Sequence, residues 1–412
     1  MNKKASIYNL SAVGVKILSG PLVYYLIAFK FEPFFLVAYF FILTINNMRT
    51  IFEGGVTNIV KRNYVLVSNN NIKSINTFSY IWFLFISILL FIISLFFGSL
   101  YIEYILNNFD IIIFPLILAV FASSLRISIL YMDAYVDGYV SSVIYRKTLL
   151  ISNLLSTLVL ILSIQFNFAL YSIFFSQLTQ VLVIYFLLKK HMQSFEIYNK
   201  KHLIIFRNQF KKFKNLIQLT MKTWSIGYFF WNATFWITPI FFQDKYSANI
   251  LFTYAIFKSI YDISASFIHS NIPIITKKIK NNLYLSIRIV LKKIFIISSL
   301  SYLVIITTLI IIINSNIFEK FSSRFLEYND LIFLSLLFYL ILLKTIIHNF
   351  IRCYQIEPFF YYVLYNAIVM IISPIISSYF GCSFFIPHLI LLLPMIILTF
   401  LMLKNKTRDT YV

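Results

Sequence analysis

The chain is poor in cysteine, glycine, histidine and acid for its 412 residues, and each scarcity excludes something. Its two cysteines, Cys353 and Cys382, cannot make a disulfide framework. Its eight glycines never form a loop that would cradle a phosphate, and its five histidines are scattered, with no metal-ligand cluster at a useful spacing. Charged residues are 12% of the chain, against about 25% in soluble domains, which excludes an ordinary soluble protein. No hydrophilic stretch is long enough to house a nucleotide-binding domain, so direct ATP hydrolysis is excluded as well. Fourteen carboxylates face 35 Lys and Arg, and no arrangement of them signals a catalytic centre or a bound cofactor.

What remains is hydrophobic. Apolar residues make up 60% of the chain, with 46 Phe suited to lipid-facing and packed helix surfaces and 29 Tyr suited to interfacial belts. In a soluble protein the net charge of +21 would point to nucleic acid. Here the cations cluster in loops between apolar runs, so the positive-inside rule explains them and no nucleic-acid partner is expected.

A membrane span needs about 20 mainly apolar residues. Twelve segments qualify: Leu10–Phe29, Phe34–Thr57, Ile75–Phe97, Ile111–Met132, Leu149–Ile164, Phe168–Leu188, Thr223–Phe242, Ala248–Ile272, Ile294–Ile313, Leu331–Ile351, Phe359–Phe380 and Phe384–Leu403. The first begins after Lys3 and Lys4, as a signal peptide does. Lys16 interrupts it and no small-residue cleavage site follows, so it reads as an uncleaved span. With the N-terminus inside, the outer loops carry only Lys30, Lys245, Lys320 and Arg324. Nearly all other cations then fall on the cytoplasmic side, which places both termini there. The same topology puts Cys353 and Cys382 on opposite sides and forbids a bridge between them.

The longest hydrophilic stretch divides the chain into an N-terminal six-helix bundle (1–188), a basic cytoplasmic linker (189–222) and a C-terminal six-helix bundle (223–412). Two weak internal matches support a repeat with both halves in the same orientation. Lys16-Ile-Leu-Ser19-Gly20 resembles Lys222-Thr-Trp-Ser225-Ile-Gly227, and Arg49 with Glu53 has the spacing of Lys258 with Asp262.

Five cations fall inside the spans: Lys16, Arg49, Arg126, Lys258 and Lys344. Each costs about 2.5–3.5 kcal/mol at the bilayer centre, so a water-filled path with an anionic cargo is a better destination for them than lipid. Residues four, seven or eleven apart share a helix face. Asn46, Arg49 and Glu53 align in span 2, followed by Gly54-Gly55, which suits close packing or a bend. Arg126, Asp133 and Asp137 align in span 4, Lys258, Asp262 and His269 in span 8, and Lys344, His348 and Arg352 in span 10. Arg49 with Glu53 and Lys258 with Asp262 also fit ion pairs that lock helices together. Lys16 has the alternative of snorkelling to the inner surface. Asp133 is too far along its helix for a tight pair with Arg126, and Lys344 has no acid within a turn. Arg126 and Lys344 are therefore the cations hardest to explain as local pairs.

In length, twelve spans, six-plus-six division, basic central loop and charges in the even-numbered spans of each half, nearly the whole chain resembles the Wzx-type O-antigen and polysaccharide flippases. These belong to the multidrug/oligosaccharidyl-lipid/polysaccharide exporter (MOP) superfamily. No short motif carries the resemblance. It implies an all-α integral membrane fold of two six-helix bundles, MATE-like, in the bacterial inner membrane. It also implies a secondary transporter, with no enzyme activity, that moves an undecaprenyl-pyrophosphate-linked oligosaccharide outward by alternating access through a cationic central cavity. Membrane lipids and other polysaccharide assembly proteins are the further partners implied. Lys16, Arg49, Arg126, Lys258 and Lys344 match that cavity. Glu53, Asp262, His348, Asp133 and Asp137 are the candidates for ion coupling or charge pairing, and a proton gradient, a sodium gradient or the membrane potential are the candidate drives. A drug or cation exporter of the same superfamily needs membrane acids, and here the deep acids are Glu53 and Asp262 alone. Lipid II flippases usually have fourteen spans. A membrane polymerase or glycosyltransferase needs a longer outer loop than the stretch near 314–330.

Overall fold

The computed structural model describes residues 3–66, 72–106, 108–192, 200–281, 284–315, 319–353 and 360–409. The side chains of Lys16 and His269 lie outside that description, as do those of a few other helical residues. The described chain is helical, with no strand among the described residues. Among the described residues, eight stretches are long and apolar enough to cross a membrane: Pro33–Glu53, Ile72–Leu106, Phe109–Val140, Ser142–Gln165, Tyr171–Lys189, Ser286–Asn314, Tyr328–Arg352 and Phe360–Phe380. The other four expected spans fall in long helices that carry charge or shorter apolar runs: α1 (Lys3–Lys30), α10 (Lys200–Phe241), α11 (Asp244–Lys280) and α16 (Ile386–Asp409). The chain forms two compact units, Met1–Tyr228 and Phe229–Val412.

In the first unit the expected second span is three helices, not one: α2 (Pro33–Asn47), α3 (Arg49–Glu53) and α4 (Val56–Leu66). Pro33 opens α2, where its fixed φ suits the helix and its missing N–H costs nothing. Gly54 and Gly55 part α3 from α4 with φ of +54° and +72°. A Cβ on Gly54 would come within 2.3 Å of Met221 Cγ, and one on Gly55 within 2.8 Å of Trp224 Nε1. The pair supplies both the bend and the close approach of α10. Gly54→Ala combines a left-handed backbone penalty with overpacking, and is expected to lower the unfolding free energy by about 2–4 kcal/mol. An unchanged midpoint in a detergent unfolding titration would show that neither the bend nor the contact is required.

The long helix α5 (Ile72–Tyr101) shows how the first unit separates lipid from core. Phe85, Ile88, Ile92 and Phe96 are exposed along one stripe, whereas Phe78, Ile86, Leu90 and Ser94 are buried along another. Apolarity cannot draw helices together in lipid, so the contacts rest on fit and on polar links between helices. Ser87 donates to the Ser124 carbonyl of α6 (Phe109–Ser128) at 2.8 Å. Between α8 (Ser142–Gln165) and α9 (Tyr171–Lys189), Ser176 donates to the Ser156 carbonyl at 2.9 Å and Gln180 to Asn153 Oδ1 at 3.1 Å. Such links average about 0.6 kcal/mol each.

The stretch read as a linker contributes to this core. Residues 200–222 are the first half of α10, and Phe206, Phe210 and Phe213 lie against α5, with ring centroids 5.5 Å (Phe206–Phe78), 5.8 Å (Phe210–Trp82) and 5.5 Å (Phe213–Phe78) apart. Lys211, Lys212 and Lys214 are exposed. The four- and three-residue spacing of these rings, continued by buried Ile217, is a helix-face signal that the density of lysines concealed.

In the second unit α11 packs on α12 (Tyr284–Asn314) and on α14 (Tyr328–Arg352), and α14 and α15 (Phe360–Phe380) pack on α16. Asp330, in the first turn of α14, accepts hydrogen bonds from Ser383 and, at 3.4 Å, from Tyr246. That carboxylate ties α11, α14 and the α15–α16 turn together near one end of the unit. Cys353 follows α14 and Cys382 follows α15, and both are free thiols.

Candidate functional site

The charges of the first unit meet around a second helix interruption. After α6 the chain passes Ile129 into α7 (Leu130–Tyr135), then into a π-helical turn, Val136–Val140. Asp133, expected to be too far along the helix, pairs directly with Arg126 Nη2. A straight helix would separate residues seven apart by about 10 Å along its axis, and the interruption at Ile129 relaxes that limit. Both side chains are largely buried, at 12% and 2% exposure. Arg126 is therefore not the unpaired cation that its sequence context suggests.

Asp137 is also paired, from other helices. Its buried carboxylate receives Lys61 from α4 and, at 3.5 Å, Arg146 from α8. Gly138 permits this convergence, since a Cβ there would lie 2.8 Å from the Lys61 carbonyl oxygen. Arg49 and Glu53 form no ion pair with each other among the described residues. They still feel each other electrostatically, in a common field with Arg126, and Glu53 also with Asp133. Around the interruption, the cations Arg49, Lys61, Arg126 and Arg146 are met by the acids Glu53, Asp133 and Asp137. Arg126 Nη1, Asp133 Oδ1, Asp137 Oδ1 and both amide atoms of Asn46 are buried without a protein hydrogen-bond partner, which leaves them polar capacity to spare.

The second unit is different. Lys258 and Asp262 form the i,i+4 pair anticipated from spacing, at 2.9 Å, because α11 runs uninterrupted through both. The pair is not enclosed: its side chains are 31% and 56% exposed. Lys258 Nζ also stands 5.2 Å from the ring centroid of Trp231 on α10. Lys344 of α14 is buried, and its Nζ lies 4.9 Å from the ring centroid of Phe230. Among the described residues Lys344 forms no ion pair. Two neighbouring aromatic residues of α10 thus each carry one cation, and Tyr261 hydroxyl to Thr345 Oγ1, at 2.8 Å, ties α11 to α14 beside them. His348, one turn beyond Lys344, lies 3.2 Å from Thr399 Oγ1 with its ring edge-on to Tyr362. Lys16 lies on α1, and its side chain is outside those described.

Sequence reasoning missed Lys61, Arg146, Phe230, Trp231 and Tyr261. For the first two, Gly138 beside Asp137 is a usable signal of close helix approach. The aromatic residues give none, in a chain that is 19% aromatic.

Three solved structures share this fold across almost the whole chain. An inward-facing multidrug resistance MATE family transporter of the MOP superfamily matches with a TM-score of 0.67 at 10% identity, covering 98% of this chain and 99% of its own. A MOP superfamily transporter from Pyrococcus furiosus, whose reverse polarity of binding pocket suggests a different function, matches at 0.55 and 9% identity, over 99% and 96%. An outward-facing multidrug resistance MATE family transporter matches at 0.52 and 10% identity, over 99% and 95%. The fold is therefore the all-α MATE/MOP transporter fold. No family model and no curated protein sequence matches the chain.

Proposed function

We propose that this chain is an alternating-access secondary transporter of the bacterial inner membrane that flips an undecaprenyl-pyrophosphate-linked oligosaccharide to the outer leaflet. One observation carries the reading: in a transporter-like fold, Lys344 lies deep in a membrane helix with an aromatic ring, and no acid among the described residues, as its partner. A pyrophosphate is the kind of anion that recruits such an ammonium through charge-assisted hydrogen bonds. Arg49, with its field shared among several charges, is the supporting cation, whereas Lys258 is already paired with Asp262. Lys16 joins Arg49 by position alone.

The drive is a separate matter. With the interior negative, each negative charge moved outward gains about 2.3 kcal/mol per 100 mV. Glu53, Asp262 and His348 are the groups suited to a counter-moving proton or sodium ion, and Asp133 and Asp137 serve as pairing acids. Membrane lipids and other polysaccharide assembly proteins are the partners of this reading.

The fold likeness to multidrug transporters favours one alternative, export of drugs or cations. A strain lacking the gene separates the two. It should hold single lipid-linked repeat units in the inner leaflet and show no change in drug accumulation. Single units reaching the outer leaflet would instead mark a polymerase, and lowered drug efflux would mark an exporter.

A further inference from the structure

We infer that Trp231, with Lys258 and Asp262, is a saccharide subsite of the second unit, which stacks one sugar ring of the cargo beside the cation that takes the phosphate. The inference rests on the flippase reading and assigns it a specificity-determining residue. Trp231 lies near the middle of α10's apolar half, and Lys258 and Asp262 near the middle of α11. A lysine and an aspartate 31% and 56% exposed at that depth would each cost about 2.5–3.5 kcal/mol against lipid. The surface that carries them is therefore wet or covered by cargo. The partly exposed indole of Trp231 lies on that same surface, 5.2 Å from Lys258 Nζ and 5.0 Å from the Tyr261 ring. Its Nε1–H donates no hydrogen bond among the described residues.

The chemistry of this patch fits a sugar better than an anion. Lys258 and Asp262 together carry no net charge, so a pyrophosphate would meet the carboxylate at the cost of repulsion. A pyranose ring presents a C–H face that packs on an aromatic plane, and rim hydroxyls that both donate and accept. Asp262 accepts, Lys258 donates, and the indole N–H of Trp231 is a further donor. Net positive charge lies one residue earlier on α10, where Phe230 carries Lys344. Adjacent aromatic side chains thus divide a neutral, hydrogen-bonding subsite from a cationic one.

The test compares two lipids on the purified full-length protein in nanodiscs. One is undecaprenyl pyrophosphate. The other is the lipid-linked oligosaccharide extracted from the gene-deletion strain. Trp231→Ala is expected to weaken binding of the sugar-bearing lipid at least tenfold and to leave undecaprenyl pyrophosphate within twofold of wild type. Trp231→Phe, which keeps a stacking face, is expected to retain most of the affinity, and Asp262→Asn to weaken only the sugar-bearing lipid. Trp231→Leu carries the same comparison if the alanine variant does not fold. Equal weakening of both lipids, or no weakening of either, overturns the subsite. Failure of the wild-type protein to bind either lipid overturns the flippase reading first.

Discussion

Removal of the Arg126 guanidinium is expected to damage the fold before it damages transport. Arg126→Ala leaves Asp133, 2% exposed, as an uncompensated carboxylate inside a membrane unit. Breaking a buried pair from one side costs about 3–5 kcal/mol, whereas replacing both partners by apolar residues is often neutral. Arg126→Ala should therefore lower the unfolding free energy by that amount, and Arg126→Leu with Asp133→Leu should restore most of it. An unfolding titration of the four proteins in the double-mutant cycle measures the coupling directly. If Arg126→Ala unfolds with wild-type stability while transport is lost, Arg126 returns to the set of cargo-facing cations. The short segment around Ile129 is what makes this prediction differ from one based on spacing alone.

The opposite outcome is expected at Lys344. Its ammonium has the Phe230 ring and no carboxylate among the described residues, so Lys344→Gln strands no opposite charge. A cation–π contact in a dry setting is worth about 2 kcal/mol, and the buried ammonium carries a desolvation cost of the opposite sign. Stability should therefore stay within about 2 kcal/mol of wild type. Transport should not. A charge-assisted hydrogen bond to phosphate contributes about 1.5–3 kcal/mol, which is a loss of roughly ten- to hundredfold. Flipping of the lipid-linked oligosaccharide in proteoliposomes, with the variant checked for expression and monodispersity, reads this. Wild-type flipping by Lys344→Gln would remove the observation on which the proposed function rests.

Parts of this arrangement were legible without coordinates, and the parts that were not have identifiable reasons. The Lys258–Asp262 pair was legible because an unbroken helix fixes the i,i+4 relation. The Arg126–Asp133 pair was not, because the interruption at Ile129 changes reach along the chain. Lys61 and Arg146 read as cytoplasmic loop cations under the positive-inside count. Only the approach of α4 and α8 to the π-helical turn, opened by Gly138, brings them to Asp137. The basic run before the second unit read as linker because lysines dominate its composition, although its phenylalanines already had helical spacing.

The five intramembrane cations show where each kind of information stops. Hydrophobicity and loop charge are properties summed residue by residue, so the sequence by itself determined a helical, multi-pass membrane protein. Whether a cation is neutralised depends on an acid within about 4 Å, and that acid comes from anywhere in the chain. Tertiary structure alone decided that Arg126 is held by Asp133, that Asp137 is held by two helices, and that Lys344 rests on a ring. Ion pairing falls off over ångströms, whereas sequence spacing specifies distance only within one unbroken helix.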